Sequence, residues 1–318
     1  MLNKPLVSIL IPVYNREALI RQTVMSALQQ NYSNTEIIIV DNHSTDNTYT
    51  ICKELSSTYG DKVKIFQNES NIGPVGNWRK CVEYSSGYYA KILWSDDLMD
   101  KDYIGCMVDA FERNNDVGFA YSAVIIGSDY NKLGKKHYRF GDSGVYPSSQ
   151  FIYKSLFTND CPVSPGCCIF RRKDLKDALT LNIQSNAFRD FSENGAGPDL
   201  LTYLYCANKY SYFVYIDEPL SFFREHNDSI SLTMKKVALL DRYNQARLWF
   251  ASTQLSSFNL RRLSSYIWVA RMFYTKKINS FDSIPNIFGT DIPRPALMST
   301  ISFFANAVYN RIISRLIK

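Results

Sequence analysis

Short apolar runs alternate with helical patterns through the first hundred residues of this chain, and no other feature constrains the fold as strongly. Runs typical of buried strands lie at residues 6–11, 36–40, 63–66 and 88–93. Patterns with the apolar spacing of helices lie at residues 17–30, 46–59 and 76–87. Strands that alternate with helices predict an α/β fold in which helices flank a mostly parallel sheet. The alternation stops at residues 129–164, which are rich in Gly, Ser, Tyr and Pro and are predicted to form loops over a site.

Composition narrows the class of protein. The chain has 318 residues, of which 46% are hydrophobic and 21% charged, so it can bury a full core. The formal net charge is +6, and basic and acidic residues are interspersed through most of the chain. This pattern argues against a nucleic-acid-binding protein, whereas it permits an anionic ligand or a membrane surface.

Cysteine usage and the amino-terminal sequence indicate the compartment. None of the seven cysteines belongs to a CxxC pair, and most lie inside apolar patterns, as reduced core thiols do. The first apolar run is too short for a secretory or membrane-spanning segment. We therefore expect a cytoplasmic protein.

Two adjacent carboxylates follow the fourth predicted strand. The sequence there is WSDD, at residues 94–97, so Asp96 and Asp97 come where a strand should end. Open α/β sheets bind ligands at the carboxyl ends of their strands, and hard carboxylate oxygens suit Mg²⁺ or Mn²⁺. The alternative from the residues alone is a helix start in which Asp97 or Asp100 is the capping residue.

Polar residues also follow the first two predicted strands. The first is followed by PVYNR, at residues 12–16, and Asp41 comes directly after the second. Tyr14 could stack on a flat base, whereas Asn15 could belong to an ordinary turn. Asp41 follows four apolar residues, so its carboxylate needs a partner or solvent, and the N–H of a base would be a suitable partner.

Four stretches, in this order, resemble the family 2 glycosyltransferases, which have the GT-A fold. They are VSILIPVYN at residues 7–15, IVDNHSTDNT at 39–48, NIGP at 71–74 and SDD at 95–97. The resemblance extends over about the first 230 residues and implies a glycosyltransferase domain at residues 1–234. It also implies an inverting enzyme that uses a nucleotide sugar, commonly linked to UDP.

The resemblance implies roles for individual residues. Those that would hold the nucleotide are Pro12, Tyr14, Asn15, Arg16, Asp41 and Asp96. Asp96 would also bind a divalent cation, Mg²⁺ or Mn²⁺, that bridges the diphosphate, with Asp97 as its support. The chain departs from the family at two positions, because Trp94 and Asn42 stand where relatives often have an acid.

Later in the chain, the glycine-rich stretch NGAG, at residues 194–197, precedes Asp199 and an apolar helical run. From the residues alone, Asp199 is an acid that starts a helix after a proline. The resemblance implies instead that Asp199 is the catalytic base for the acceptor hydroxyl, with Glu193 as the reserve candidate. It also implies that PGCC, at residues 165–168, lines the acceptor site, whereas plain entry into a strand is the alternative.

Arg224 and His226 stand two residues apart in a polar segment. A lone histidine is usually structural or solvated. The resemblance implies that both residues lie near the diphosphate, where they would stabilise the negative charge that develops on the leaving group. It also makes His226 a further candidate ligand of the metal.

Residues 235–318 lie outside the resemblance and are predicted to form a helical C-terminal region. One helix face would carry Leu297, Ile301, Phe304, Val308 and Ile312. Basic residues follow at helical spacing, namely Arg311, Arg315 and Lys318, and no acid occurs from residue 292 to the end. This pattern predicts a helix that lies on an anionic inner leaflet, and packing against the catalytic domain is the alternative.

Together these expectations describe a cytoplasmic enzyme, peripheral on the inner face of the plasma membrane, that extends a surface polysaccharide. Its substrates would be a nucleotide-sugar donor and a saccharide or lipid-linked saccharide acceptor. The alternatives are a nucleotidyltransferase and a non-catalytic module that binds nucleotide sugars. A nucleotidyltransferase is disfavoured because no glycine-rich, arginine-containing loop follows the first strand.

Overall fold

The computed structural model describes residues 4–128, 134–158, 160–179, 183, 191, 193–226, 234–255, 259–289 and 291–316. The strands are β1 (Val7–Val13), β2 (Thr35–Asp41), β3 (Val63–Gln67), β4 (Tyr89–Ile92), β5 (Leu98–Met99), β6 (Val117–Gly127), β7 (Lys136–His137), β8 (Gly144–Pro147), β9 (Cys168–Arg171) and β10 (Tyr212–Arg224). The helices are α1 (Ile20–Leu28), α2 (Thr48–Tyr59), α3 (Gly73–Glu83), α4 (Tyr103–Glu112), α5 (Ser148–Phe157), α6 (Arg172–Leu179), α7 (Pro198–Lys209), α8 (Lys236–Gln254), α9 (Leu260–Thr275), α10 (Ser283–Phe288) and α11 (Leu297–Leu316).

The first four main strands form the parallel half of one sheet, whose order is β3-β2-β1-β4-β9-β6-β10-β5. β1 runs parallel to both β2 and β4, and β2 runs parallel to β3. Their carboxyl ends therefore meet at one edge, where Val13 of β1 lies opposite Asp41 of β2. The alternation of strands and helices in the sequence predicts this half of the sheet correctly.

Beyond β4 the sheet is mixed. β9 lies antiparallel between β4 and β6, and β10 runs parallel to β6 but antiparallel to β5 and β8. β9 has only four residues, yet it joins the parallel half of the sheet to β6 and β10. The predicted α/β class with flanking helices is confirmed. The first half of the sheet is parallel, whereas the second half combines the parallel pair β6 and β10 with antiparallel strands.

Both faces of the parallel half are buried, which explains why its strands are continuous apolar runs. In β1, Ile9 and Ile11 point into one core cluster and Leu10 into a second. β2 repeats the pattern, with Ile37 in the first cluster and Ile38 in the second. A sheet with helices on both sides has no solvent face along these strands, so polar residues are displaced to the strand ends.

The prediction that residues 129–164 form loops is wrong in part, because this stretch contains β8 and helix α5. Phe151 of α5 is fully buried, and its ring lies 4.9 Å from Phe119 and 5.3 Å from Tyr203, centroid to centroid. Aromatic packing against other elements therefore stabilises this helix. A weak local pattern of Ser, Gln and Tyr could not reveal such contacts.

The chain forms two compact units. One comprises the described residues of Met1–Asn182 and Ser192–Ser229, and the other those of Ile183–Phe191 and Ile230–Lys318. In the second unit, Arg271 of α9 pairs with Asp241 of α8, and Tyr266 of α9 packs on Phe303 of α11. The C-terminal region is thus helical, as predicted.

Helix α11 leaves apolar side chains uncovered. Leu297 is 63% exposed, Ile301 55% and Phe304 43%, whereas Val308 is half-buried. The side chains of Arg311, Ile312 and Arg315, and all of Lys318, lie outside the described residues. Among the helices that the structure describes, none combines the length and apolar character needed to cross a bilayer.

Candidate active site

The ends of β1 and β2 are tied to each other through two turns. Asn15 and His43 have φ angles of 50° and 65°, in the left-handed region that asparagine tolerates better than most residues. The backbone N–H of Asn15 donates to Ser44 Oγ at 2.9 Å, and the N–H of Thr45 donates to Asn15 Oδ1 at 2.9 Å. The predicted nucleotide residues that follow β1 therefore belong to a defined turn.

Asp41 has its partners within the protein. It is fully buried, and its Oδ2 accepts from the backbone N–H of Ser44 at 3.0 Å and from Gln67 Nε2 at 2.9 Å. Its Oδ1 accepts from the Ser44 hydroxyl. The partner expected from a ligand base is thus already supplied by the neighbouring turn. Near it, Pro12 is buried in β1, whereas Tyr14 is 41% exposed.

A network of asparagines extends from the end of β2, and sequence reasoning missed it. Asn42 Nδ2 donates to Asn71 Oδ1 at 2.8 Å and to the carbonyl oxygen of Gly73 at 3.2 Å. Asn42 Oδ1 accepts from Asn68 Nδ2 and from the backbone N–H of Ile72, both at 3.0 Å. An amide is needed here because a carboxylate could make only the second pair of bonds. This explains why Asn42 replaces an acid.

Asp96 is the point where three strand ends meet. Its Oδ2 lies 3.2 Å from Arg16 Nε, after β1, and 2.8 Å from His226 Nε2, after β10. Arg16 and His226 are 80 and 130 positions away from Asp96 in the sequence. The structure therefore brings together Asp96, Arg16 and His226, each singled out from the sequence.

Asp97 follows Asp96 in the sequence and fixes the end of β10 by a hydrogen bond. Its Oδ1 accepts from the backbone N–H of Arg224 at 2.9 Å, and its carbonyl oxygen accepts from Thr23 Oγ1 at 2.9 Å. Burial, and then the neighbouring charge of Asp96, raise the pKa of the Asp97 carboxyl well above its ordinary value. A further cation near these acids would relieve that repulsion.

The Arg224 side chain is only partly engaged. Its Nη2 donates to Gln22 Oε1 at 2.8 Å. Its Nη1 is buried, and within the described part of the chain no acceptor reaches it. A buried guanidinium N–H without an acceptor is destabilising, so this donor fits an anionic ligand oxygen.

Lys91 is a further charged group that sequence reasoning missed. It is fully buried in β4, its ammonium donates to the carbonyl oxygen of Gly166, and it lies 4.6 Å from the centroid of the Tyr103 ring. Burial lowers the pKa of Lys91 to about 8, although Cys167 and Asp97 oppose this shift. A lysine in the middle of an apolar strand was the available signal.

The donors around Asp96 suit a divalent cation. Carboxylate oxygens and an imidazole nitrogen are ligands that Mg²⁺ and Mn²⁺ accept. Burial, and then repulsion from Asp96, raise the pKa of Asp97, and a bound cation would oppose both effects. Within the described ranges, however, no group of three or more His, Cys, Asp or Glu is arranged to hold an ion. Asp96 and His226 are the candidate ligands nearest each other.

Asp199 occupies the first turn of α7 and is buried. Its Oδ1 accepts from the backbone N–H of Gly197 at 2.8 Å and of Leu200 at 2.7 Å. Gly195 and Gly197 have φ angles of 72° and 102°, so the turn needs residues without a Cβ. The helix-starting role considered from the residues alone is therefore real, and the role as base stays a prediction. Glu193, the reserve candidate, is exposed.

The predicted acceptor stretch begins with a 3₁₀ turn, Pro165–Cys167, and continues into β9, so the plain strand entry is also real. Ser164 precedes the turn, and its Oγ accepts from Trp94 Nε1 at 2.8 Å. Trp94 thus joins the residues before Asp96 to this turn, a contact that its place in the sequence does not suggest.

Comparison with known proteins identifies the family. The family model described as Glycosyl transferase family 2 matches residues 8–179. An uncharacterized glycosyltransferase of Haemophilus influenzae is 37% identical over 114 residues, which are 36% of this chain and 45% of the relative. The UDP-Glc:alpha-D-GlcNAc-diphosphoundecaprenol beta-1,3-glucosyltransferase WfgD of Escherichia coli is 32% identical over 41% of this chain and 50% of its own length. The chain thus spans about half the length of these two curated relatives.

A third relative and two solved structures extend the comparison. The E. coli glucosyltransferase WfaP, which carries the same activity name as WfgD, is 30% identical over 59% of this chain and 74% of its own length. S. aureus TarS 1-349 in complex with UDP-GlcNAc superposes with a TM-score of 0.62 at 16% identity, over 88% of this chain and 78% of that one. Mannosyltransferase PcManGT from Pyrobaculum calidifontis, in complex with GDP-Man and Mn²⁺, has a TM-score of 0.53 at 15% identity, over 97% and 81%. These two likenesses concern the GT-A fold. The chain therefore belongs to glycosyl transferase family 2.

Proposed function

We propose that this protein is an inverting glycosyltransferase that moves a sugar from a UDP-linked donor to a hydroxyl of a saccharide or lipid-linked saccharide. The observation that carries the proposal is the junction at Asp96, where Arg16 and His226 arrive from two other strand ends. The activity names of WfgD and WfaP, with UDP-Glc as donor and a diphosphoundecaprenol-linked acceptor, support the UDP-linked donor and the role in surface polysaccharide synthesis.

On the donor side, each residue would act on one part of the nucleotide. Tyr14 is exposed and would stack on the base, while Asn15 and Arg16 would contact the nucleotide from the turn after β1. Asp41 would support nucleoside binding through the turn, because it accepts from Ser44, and Ser44 Oγ accepts from the backbone N–H of Asn15. Arg224, whose buried Nη1 has no acceptor among the residues that the structure describes, would donate to a diphosphate oxygen.

Asp96 and His226, with Asp97 beside them, would hold a divalent cation, which supplies positive charge against the leaving diphosphate. The complex of PcManGT with GDP-Man and Mn²⁺ supports this use of a cation. Arg16 would add a fixed positive charge at the same place, because its Nε already lies 3.2 Å from Asp96 Oδ2.

Asp199 would remove the proton of the acceptor hydroxyl. The hydroxyl oxygen would form its bond to the anomeric carbon as the bond from that carbon to the diphosphate oxygen breaks on the opposite face, so the configuration inverts. The proton would pass to Asp199, and UDP would leave with the bonding electron pair. The hydrogen bonds from the backbone N–H groups of Gly197 and Leu200 would fix the orientation of the carboxylate.

The first test supplies the purified chain with UDP-Glc or UDP-GlcNAc, Mn²⁺ and GlcNAc-diphosphoundecaprenol, and measures UDP release and product mass. We expect a product heavier by one sugar, and no product in EDTA. Donor binding without any UDP release would favour the non-catalytic module. Formation of UTP and a sugar 1-phosphate when pyrophosphate is added to the UDP-sugar would favour a nucleotidyltransferase.

Asp199→Asn should lower transfer by about 10²-fold or more, while UDP affinity changes little, because an amide cannot accept the proton. Glu193→Gln is the matched control and should keep transfer. If Glu193→Gln loses transfer and Asp199→Asn does not, the base is Glu193.

We further propose that the protein works in the cytoplasm, at the inner face of the plasma membrane. Helix α11 supports this, because Leu297 and Ile301 are exposed and no acid follows residue 291. Leu297→Ser together with Ile301→Ser should weaken binding to anionic vesicles by about tenfold or more, since each side chain would lose its apolar burial. Ser302→Asn, at an exposed polar position of the same helix, is the control and should bind normally. Equal vesicle binding by all three proteins would contradict the proposal.

A further inference from the structure

Two half-buried aromatic side chains lie beside Gly166 and a third packs on one of them, and the donor-side roles above use none of the three. A Cβ atom built on Gly166 would lie 2.6 Å from Trp94 Nε1 and 3.2 Å from Phe223 Cε1, so the two rings crowd its α-carbon. The ring of Tyr138 meets that of Phe223 at a centroid distance of 6.1 Å and an angle of 71°. We call Trp94, Tyr138 and Phe223 the aromatic rim.

The aromatic rim is connected to the proposed donor side of the site. Trp94 stands two residues before Asp96, and Phe223 directly precedes Arg224. Tyr138 is close enough to Asp97 for that carboxylate to act on its hydroxyl. Two of the three rings are therefore carried by the same strand ends that carry the candidate diphosphate and metal ligands.

The aromatic rim is connected to the proposed base as well. The ring of Trp94 lies 5.0 Å from that of Trp78, centroid to centroid, and a Cβ on Gly195 would lie 2.6 Å from Trp78 Cη2. Gly195 opens the turn that carries Asp199, whose N–H donates to the Gly195 carbonyl oxygen at 3.1 Å. The rim thus lies between the acids after β4 and Asp199.

The position of the aromatic rim determines which part of the substrates its rings would contact. The acceptor hydroxyl must reach Asp199 on one side and the anomeric carbon on the other. A pyranose ring presents C–H groups on its faces and hydroxyls at its edges, so an aromatic face matches the first and a phenol hydroxyl the second. Trp94 places a half-buried indole ring just before the two acids that follow β4.

We infer that the aromatic rim is the acceptor subsite, in which Trp94 stacks on the pyranose ring that carries the reacting hydroxyl and selects a cyclic sugar acceptor. This inference rests on the proposed function and deepens it by naming the residues that recognise the acceptor ring. Burial first, then Cys167, Asp199 and Asp97, raise the pKa of the Tyr138 hydroxyl, so it stays protonated and can donate to a sugar oxygen.

A purely structural role for Trp94 makes a different prediction. Its Nε1–H donates to Ser164 Oγ at 2.8 Å, so Trp94 could serve only to anchor the turn at Pro165–Cys167. Trp94→Phe removes this hydrogen bond and keeps a ring, whereas Trp94→Leu removes both. The pair of variants separates stacking from anchoring.

The experiment uses the full chain with UDP and the diamagnetic cation Mg²⁺, and three probes: methyl glucopyranoside, methyl galactopyranoside and methyl N-acetylglucosaminide. Saturation-transfer NMR identifies the probe protons that approach the protein, and titration gives Kd. We expect saturation of ring C–H protons in at least one pyranoside and none in sorbitol, which has the same kinds of group without a ring.

For the probe that binds, Trp94→Leu should raise Kd by about tenfold, and Trp94→Phe by less than about threefold. Tyr88→Leu is the matched control, because Tyr88 is 58% exposed at the opposite end of the strand that leads to Trp94. Tyr138→Leu should also raise Kd, and Tyr138→Phe, which keeps the ring, should raise it less. These two variants test the inference if Trp94→Leu does not fold.

Three results would overturn the inference: no pyranoside binds, Trp94→Leu binds as the wild type does, or Trp94→Phe loses as much as Trp94→Leu. UDP affinity should stay within about threefold of the wild-type value in every rim variant that folds. If the wild-type protein does not bind UDP, the proposed function is refuted. A pyranoside that binds through Trp94 would still be observed in that case.

Discussion

The strand ends on either side of β1 differ in how their polar groups are satisfied. After β2, Asn42 has each of its amide donors and its oxygen engaged by a neighbour, and Asp41 accepts from Ser44 and Gln67. After β4, burial and Asp96 raise the pKa of Asp97, and burial lowers that of Lys91. The first end is a closed network of neutral amides around one acid. The second holds an acid and a lysine whose burial shifts the pKa of each towards its neutral form.

This difference suggests that the β2 end shapes the site and that the β4 end takes part in the reaction. A saturated network gains stability from every bond and has no capacity left for a ligand. Carboxyl and ammonium groups with shifted pKa values are typical of sites where a ligand completes the charge balance. We therefore expect the β2 end to have a structural role and the β4 end to take part in the chemistry.

The largest expected effect is at Asp96. Asp96→Asn should lower sugar transfer by about 10³-fold, because it removes a full charge from the junction with Arg16 and His226. The measurement is UDP release with saturating UDP-sugar, alongside a urea unfolding curve that should keep its midpoint. Asp100→Asn, in the same stretch, is the control and should keep transfer. If both variants transfer normally, the β4 end is not the reacting part.

The second effect concerns Lys91 and pH. Its pKa is about 8 in the folded protein against an ordinary 10.5, so between these values the unfolded chain binds more protons and stability rises with pH. Below pH 8 the full penalty of burying the ammonium is present, and it amounts to about 3 kcal/mol at most.

Lys91→Met should remove this dependence. Urea unfolding at several pH values between 7 and 10 should give a wild-type free energy that rises relative to that of the variant. The difference between the two proteins isolates Lys91 from the thiols and phenols that titrate in the same range. A constant difference would mean that Lys91 is already neutral or is fully compensated at pH 7.

The smallest effect is at the β2 end. Asn42→Asp should lower the free energy of unfolding by about 2 kcal/mol, because a carboxylate faces two oxygens that the amide now contacts as a donor. Asn115→Asp, at an exposed position, should change it by less than about 0.5 kcal/mol. Urea curves for both give the answer. If Asn42→Asp is as stable as Asn115→Asp, the network does not have the structural role assigned to it.

The parallel half of the sheet could be predicted from the sequence because its information is local. A run such as residues 36–40 is apolar almost throughout, as a strand buried on both faces must be, and it lies within β2 at Thr35–Asp41. Helix α5 was missed because Phe151 packs on rings more than thirty residues away, which no local pattern contains.

The residues of the site were easier to find than their contacts. Asp96, Arg16 and His226 were singled out one by one, and a motif can do this because it marks residue types in order. Lys91 and Tyr138 belong to no motif. Their importance arises from burial and from charges brought near by the fold, which only coordinates reveal.

The placement of β9 also affects how the chain is assembled during synthesis. The parallel half is complete at β4, yet the free edge of β4 is covered only when Cys168–Arg171 arrives, some seventy-five residues later. Until then the nascent chain has an unpaired edge strand, which is a template for pairing with another chain. The buried Lys91 lies on that strand opposite Ile169. Its charged side chain therefore disfavours pairing of the edge with another chain until β9 has been synthesised.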